Sequence, residues 1–97
     1  MLNSKQKSQL KTMATHLSAI GQIGKDGIKE NLLDFLNDVL TSHELIKVKV
    51  HKSCSVSLNE LIIEISRELH CDLVQTIGRV LIFYRKSKEN QRIKLVK

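Results

Sequence analysis

The chain has 97 residues, 41% of them hydrophobic and 27% charged, and carries a formal net charge of +6 at pH 7. This length and composition suit one hydrophobic core rather than two domains or a disordered segment, so we expect a single domain over residues 1–97 with a basic tail at 86–97. No apolar run approaches the roughly 20 residues that a membrane-spanning helix requires. The polar start of the chain does not resemble a signal peptide, and two cysteines are too few for a disulfide scaffold. These features favour a cytoplasmic protein.

The charge is unevenly distributed along the chain. Residues 1–29 carry a net charge of +4, residues 30–78 a net charge of −4, and residues 79–97 a net charge of +6. Two basic ends form a polyanion-binding surface if folding brings them together. The alternative is that these charges only keep a small protein soluble.

The first half of the chain contains two predicted helices and a short strand. Residues 4–17 form the first helix, with Asn3 and Gln6 as a capping box. Residues 20–23 form the strand, and a second helix begins near Ile28. The side chains predicted to be buried are Leu10, Met13, Ala14 and Leu17 in the first helix, and Ile28, Leu32, Phe35, Leu36, Val39 and Leu40 in the second.

The second half contains three predicted strands and one helix. Residues 44–51 alternate between apolar and polar side chains, which predicts a strand with a basic face, and a capping box of Ser57 and Glu60 opens a third helix. Residues 73–77 and 80–84 flank Gly78 and Arg79, a pair typical of a β-hairpin with a type II′ turn. Residues 80–84 are apolar on both faces and need cover on at least part of the second face. The order α-β-α-β-α-β-β predicts an α/β two-layer sandwich with a four-stranded mixed sheet.

The turn at residues 24–27, Gly-Lys-Asp-Gly, is the strongest candidate for a binding site. Gly24 and Gly27 let a ligand approach the main chain closely, and the first N–H groups of the following helix lie unpaired at the positive end of its dipole. With Lys25, these groups predict a phosphate site. Asp26 opposes it by repelling phosphate, and its alternative role is local turn capping. The ordinary interpretation of a Gly-x-x-Gly segment is a simple turn.

Further cations could extend this site into a basic track: Lys47, Lys49 and His51 on one strand face, Arg79 in the hairpin turn and Arg85 just beyond it. The alternative is a solvated strand face. Aromatic residues are few, and Phe35 belongs to a predicted buried stripe, so any RNA contact should depend on phosphates and shape rather than on base stacking.

Metal and catalytic sites have little support in the sequence. His51 and Cys54 lie near one end of the third helix and His70 and Cys71 at the other, roughly 20 Å apart, so a shared zinc is not expected, and Cys71 is expected at the edge of the core. The Walker pattern is absent, and no nucleophile–base constellation stands out. We therefore expect no cofactor, no metal, no small-molecule substrate and no enzymatic activity.

Four ordered blocks resemble the CRM domain of YhbY-type bacterial proteins. They comprise Leu2, Lys5, Gln6, Lys7, Leu10 and Ala14, then residues 22–27, 44–50 and 75–85, and together cover nearly the whole chain. The resemblance implies an α/β sandwich similar to the C-terminal domain of a bacterial translation initiation factor. The chain departs from the family pattern at Asp26, at Lys29, where a threonine cap is usual, and at Lys86, where proline is frequent. Lys29 adds charge beside the same helix start.

The resemblance also implies a non-catalytic RNA-binding protein that associates with ribosomal RNA or precursors of the large (50S) ribosomal subunit. The family's RNA-contacting loop corresponds to Gly24, Lys25, Asp26 and Gly27. We add Lys29, with support from Lys5, Lys7, Lys11, Lys47, Lys49, Arg79 and Arg85. The alternative function is a protein-interaction module that docks on a ribosomal protein or another acidic partner. RNA is the expected partner, and no membrane is expected.

Overall fold

A computed structural model describes residues 2–97 and confirms the predicted fold class. Helices and strands follow in the predicted order. They are α1 (Ser4–Ala14), β1 (Gly21–Ile23), α2 (Glu30–His43), β2 (Leu45–Val50), α3 (Leu58–Leu69), β3 (Asp72–Ile77) and β4 (Val80–Tyr84). Within residues 2–97, no helix combines the length and the apolar character that crossing a membrane demands.

The four strands form one mixed sheet in the order β1-β2-β4-β3. β1 is parallel to β2, whereas β2–β4 and β3–β4 are antiparallel. The hairpin between β3 and β4 turns at Gly78, whose φ of +57° has the sign that the first position of a type II′ turn requires. The carboxyl ends of β1, β2 and β3 therefore lie at the same end of the sheet, which we call the loop end.

The first face of the sheet carries the larger core. Helices α2 and α3 pack there because each presents one apolar stripe at helical spacing. The cysteine predicted at the core edge, Cys71, is buried in this cluster, and its burial raises the pKa of the thiol to about 12. The cluster comprises Ile23, Leu36, Leu40, Ile46, Val48, Val50, Leu61, Ile65, Leu69, Cys71, Leu81 and Phe83.

The second face is covered only in part, by α1 and the C-terminal tail. Leu10 and Ala14 of α1 pack on Val74, Ile82 and Tyr84, while Leu45 and Ile93 complete the cluster. This packing is the second-face cover that the doubly apolar β4 requires. The half of this face nearer the loop end stays open, with Lys49 and Ile77 exposed there.

The predicted end of the first helix is wrong. Its last turn tightens, because the N–H groups of His16 and Leu17 donate to the carbonyls three residues earlier, and α1 ends at Ala14. The chain then turns toward β1, where the Ile20 N–H donates to the Lys47 carbonyl over 3.0 Å. As a result, Met13 and Leu17 remain 37% and 39% exposed instead of joining the core.

The predicted burial of Phe35 is also wrong, since its side chain is 46% exposed. Phe35 lies on the flank of α2 that overhangs β1, near Gly21. Because β1 is a three-residue strand at the edge of the sheet, no further strand covers the outer side of the ring. Ile28, predicted to open this helix, is half-buried but precedes the helix, which begins at Glu30.

Glu44 anchors the C-terminal tail. This residue caps α2 with an unusual positive φ of 65°, and its fully buried carboxylate accepts hydrogen bonds from the N–H groups of Ser87, Arg92 and Ile93 over 2.6–2.8 Å. Burial alone would raise the pKa of Glu44, but the three N–H donors and the Lys86 charge together lower it below its ordinary value. The tail is thereby fixed at the end of the sheet opposite the loop end.

Candidate nucleic-acid interface

The 24–27 loop is a tight turn that follows β1. The Gly27 N–H donates to the Gly24 carbonyl over 3.2 Å, and the two glycines form an isolated β-bridge. Gly27 is buried with a φ of +79°, and a Cβ atom on it would lie 2.9 Å from Cγ2 of Val56. A Cβ on Gly24 would meet nothing within 4 Å. Gly27 therefore fixes the shape of the loop, while Gly24 leaves open space for a ligand.

Ser55 holds the loop from a distant part of the sequence. Its backbone N–H and its hydroxyl both donate to the Lys25 carbonyl, over 3.0 and 3.1 Å. Ser55 binds only the backbone of Lys25, and the Lys25 and Asp26 side chains are exposed to solvent. The sequence analysis did not identify Ser55, since no local pattern connects it to a turn 30 residues earlier.

The first turn of α2 provides unpaired N–H groups beside the loop. Lys29 is the N-cap residue and makes no side-chain capping bond. Its carbonyl accepts from the N–H groups of Leu32 and Leu33, whereas those of Glu30 and Asn31 have no hydrogen-bond partner within residues 2–97. They lie at the positive end of the helix dipole. A shallow cleft of about 260 Å³ lies here, lined by Gln22, Gly24, Lys25, Asp26, Gly27, Lys29, Asn31 and Leu32.

Two further predicted cations lie at the loop end. Lys49 is exposed on the open half of the second face, next to Gln22 across the β1–β2 pairing. Arg79 in the hairpin turn is held against the end of β2, because Nε donates to the Val50 carbonyl and Nη2 to that of His51, over 3.2 and 3.1 Å. These two bonds leave the other N–H groups of the Arg79 guanidinium available to donate to a ligand. We call Lys25, Lys29, Lys49, Arg79 and the 24–27 backbone the loop surface.

The three lysines of α1 point in different directions. Gln6 and Gln9 hold the tail on one flank of this helix through the carbonyls of Val96 and Lys94. Lys7 and Lys11 lie one turn apart on the opposite flank, away from the tail. Lys5 projects from the outer side of the helix, away from the sheet.

Of the cations predicted on the strands and the β-hairpin, two are not brought to the loop. Lys47 is half-buried, with Nζ donating to the Leu17 carbonyl over 2.9 Å. Arg85 lies at the opposite end of β4, where its guanidinium joins α2 to α3 through four bonds of 2.8–2.9 Å to Asn37, Thr41 and Leu69. The basic track expected along this sheet is therefore shorter than predicted.

The cations of the loop surface have no acidic partner. Across residues 2–97, the only ion pair within 4.0 Å joins Arg67 and Glu68 on α3. Asp26 lies in the loop but pairs with neither neighbouring lysine. Over the same residues, no three histidine, cysteine or acidic side chains come together as a metal site. The concentrated positive charge is available to an external anion.

The fold and the loop define a class: a small α/β protein that carries a basic Gly-x-x-Gly turn between its first strand and its second helix. The chain belongs to the CRS1 / YhbY (CRM) domain family, whose model matches residues 2–85. The resemblance noted from the sequence is thereby confirmed.

Similar proteins cover almost the whole chain. A Bacillus subtilis protein named "Probable RNA-binding protein YqeI" is 39% identical over 95 residues, 98% of this chain and 99% of that protein. A Haemophilus influenzae protein named "RNA-binding protein" is 41% identical over 88 residues, 91% of this chain and 89% of that protein. The solution structure of SAV1595 from Staphylococcus aureus is 42% identical with a TM-score of 0.82, covering 99% of this chain and 100% of that one.

Proposed function

We propose that this chain is a non-catalytic RNA-binding protein whose loop surface contacts RNA phosphates. The observation that carries the proposal is the 24–27 loop, which places Lys25, Lys29 and the free N–H groups of α2 around one cleft. No carboxylate pairs with these lysines within residues 2–97. The names of two relatives, which describe them as RNA-binding proteins, support the same function.

The proposed mechanism is electrostatic docking. Lys49 and Arg79 extend the loop surface along the sheet end, and Lys7 and Lys11 add exposed charge on the flank of α1 away from the tail. Phosphate oxygens accept hydrogen bonds from the lysines and from the N–H groups at the helix start. Among the two phenylalanines and one tyrosine of the sequence, Phe83 and Tyr84 are buried and Phe35 at the β1 edge is exposed, so base stacking on these rings contributes little.

The proposed target is ribosomal RNA or a precursor of the large ribosomal subunit, bound in the cytoplasm. The resemblance to YhbY-type proteins supports this target. Crosslinking the protein to RNA in cells and sequencing the attached fragments tests it directly. Fragments drawn mainly from messenger or transfer RNA would contradict the ribosomal target while leaving RNA binding intact.

The loop surface is tested by replacing Lys25 and Lys29 together with alanine. Both side chains are exposed, so the variant should fold normally. In filter binding to single-stranded RNA, we expect an affinity loss of at least about tenfold at low salt. We also expect the slope of log K against log salt to fall by about 1.4, because two phosphate contacts are lost.

The matched control replaces Lys88 and Lys94 with alanine. This variant changes the net charge equally, but both lysines are exposed on the tail, away from the loop. It should lose only a small part of the affinity, through the long-range field. Equal losses in the two double variants would show that overall charge, and not the loop, governs binding.

A further inference from the structure

A second concave site lies toward the end of the sheet opposite the loop end, where β2 extends beyond its neighbour β1. β1 pairs only with residues 48–50 of β2, so the first half of β2, from Leu45 to Lys47, has no strand beside it on that side. A groove of about 390 Å³ lies along this uncovered edge. Its volume is within the range of ligand and peptide pockets.

The floor of the groove contains unpaired backbone groups. The Val50 N–H donates to the Arg79 carbonyl, and the Arg85 N–H donates to the Glu44 carbonyl. These bonds show that Glu44, Val50 and the residues at every second position between them turn their backbone N–H and C=O groups toward β4, whereas Leu45, Lys47 and Lys49 turn theirs away from it. The N–H and C=O of Leu45 and the N–H of Lys47 must then point away from β4, toward the groove. No hydrogen-bond partner for these three groups lies within residues 2–97. An edge of this kind accepts an added strand.

The walls of the groove are aliphatic. Met13, Leu17 and Ile20 remain 37–39% exposed there, and Val39 and Ile93 complete the apolar lining. The unexpectedly early end of α1 produces this exposure. The lining contains no phenylalanine, tyrosine or tryptophan, so the large stacking platforms of single-strand nucleic-acid sites are missing from it.

The rim of the groove is basic. Lys47 and Arg92 are held in place by hydrogen bonds to the Leu17 and Ser42 carbonyls, which fix the two cations without neutralising them. His43 lies beside them, and the lining includes no acidic residue. The charge therefore favours an anionic occupant.

We propose that this groove binds an extended, acidic segment of a partner protein, which adds as a short strand to the Leu45–Lys47 edge of β2. The unpaired groups on the floor bind the backbone of the segment, the aliphatic walls bind its apolar side chains, and Lys47 and Arg92 bind its flanking carboxylates. The site is separate from the loop surface. None of the residues of the loop surface lines the groove.

The probe is a synthetic peptide with alternating leucine and valine at its centre and aspartate and glutamate at both ends. Titrated into isotopically labelled protein, it should shift the amide signals of Leu45 and Lys47 saturably and slow their hydrogen exchange. A peptide with N-methylated central amides keeps the charge and the side chains but cannot pair with the edge, so it should bind at least about tenfold more weakly. A peptide with serine at the apolar positions tests for attraction by charge alone.

On the protein side, Leu17→Glu places a carboxylate in the groove and should weaken the binding of the acidic peptide by at least about tenfold. Ile63→Glu is the matched control, because Ile63 is 61% exposed on the outer side of α3, and it should leave the affinity unchanged. Retained RNA binding by both variants shows that they are folded.

Four results would overturn the proposal. They are the absence of saturable shifts at Leu45 and Lys47, equal binding by the N-methylated or serine peptide, displacement of the peptide by single-stranded RNA at the same amides, and a dimer of the protein alone that Leu17→Glu dissociates. The third would assign the groove to RNA, and the fourth to a second copy of the chain.

Discussion

Replacing Glu44 with glutamine tests how the C-terminal tail is held. One oxygen, Oε1, accepts from the N–H groups of Arg92 and Ile93 over 2.6 and 2.8 Å, and Oε2 accepts from that of Ser87 over 2.7 Å. Glutamine retains one oxygen but presents an NH₂ group in place of the other. At least one backbone N–H then faces a donor inside a buried site, and the remaining bonds lose their charge assistance.

The cost follows from these contacts. A hydrogen bond to a charged group contributes about 1.5–3 kcal/mol, and a buried donor left without an acceptor costs about 1–3 kcal/mol. We expect Glu44→Gln to lower the free energy of unfolding by about 2–4 kcal/mol, a large part of the total stability of a domain of this size. The midpoint of thermal unfolding should fall by about 10–20 °C.

The pH dependence of stability gives an independent check. Because folding lowers the pKa of Glu44 below its ordinary value of 4.5, the carboxylate stabilises the fold fully above that pH. The stabilisation is lost as the pH falls through the folded pKa. The stability difference between the original chain and Glu44→Gln, measured by denaturant unfolding, should therefore be full at pH 7 and shrink below about pH 4.

Glu89→Gln makes the same chemical change at an exposed position of the tail and should change the stability by less than about 0.5 kcal/mol. The reasoning fails if Glu44→Gln is as stable as this control. It also fails if the Glu44→Gln deficit stays constant from pH 7 to pH 3.

Four other substitutions separate structural from binding roles. Gly27→Ala should lower the free energy of unfolding by about 1–3 kcal/mol, because Gly27 has a positive φ and the added Cβ would collide with Val56. Gly24→Ala should change the free energy of unfolding by less than about 0.5 kcal/mol, since a Cβ there meets nothing within 4 Å. Urea titrations of the two variants test the difference. Arg85→Met should lower the free energy of unfolding by about 2–4 kcal/mol, because the four hydrogen bonds of the guanidinium are lost. The RNA affinity of the folded variant should be unchanged. A weaker affinity would show that Arg85 contacts RNA. Asp26→Asn should raise RNA affinity about threefold or more at low salt, since it removes a repelling carboxylate; an unchanged Kd would place Asp26 away from the phosphates.

The sequence by itself determined the order of the elements and the position of the loop. Capping residues such as Asn3 and Ser57, the alternation along β2 and the glycine at the β-hairpin are local signals, because each depends on contacts between residues close in the chain. The Gly-x-x-Gly turn is equally local. The same four blocks of sequence also carried the family resemblance.

Only the tertiary structure decided which cations share a surface and which positions stay uncovered. Arg79 and Arg85 are six residues apart and flank one strand, β4, which carries them to opposite ends of the sheet. Periodicity predicted buried positions for Phe35 and Leu17, but whether an apolar side chain is covered depends on a neighbouring element that no local pattern specifies. Here the short β1 and the early end of α1 leave both side chains exposed.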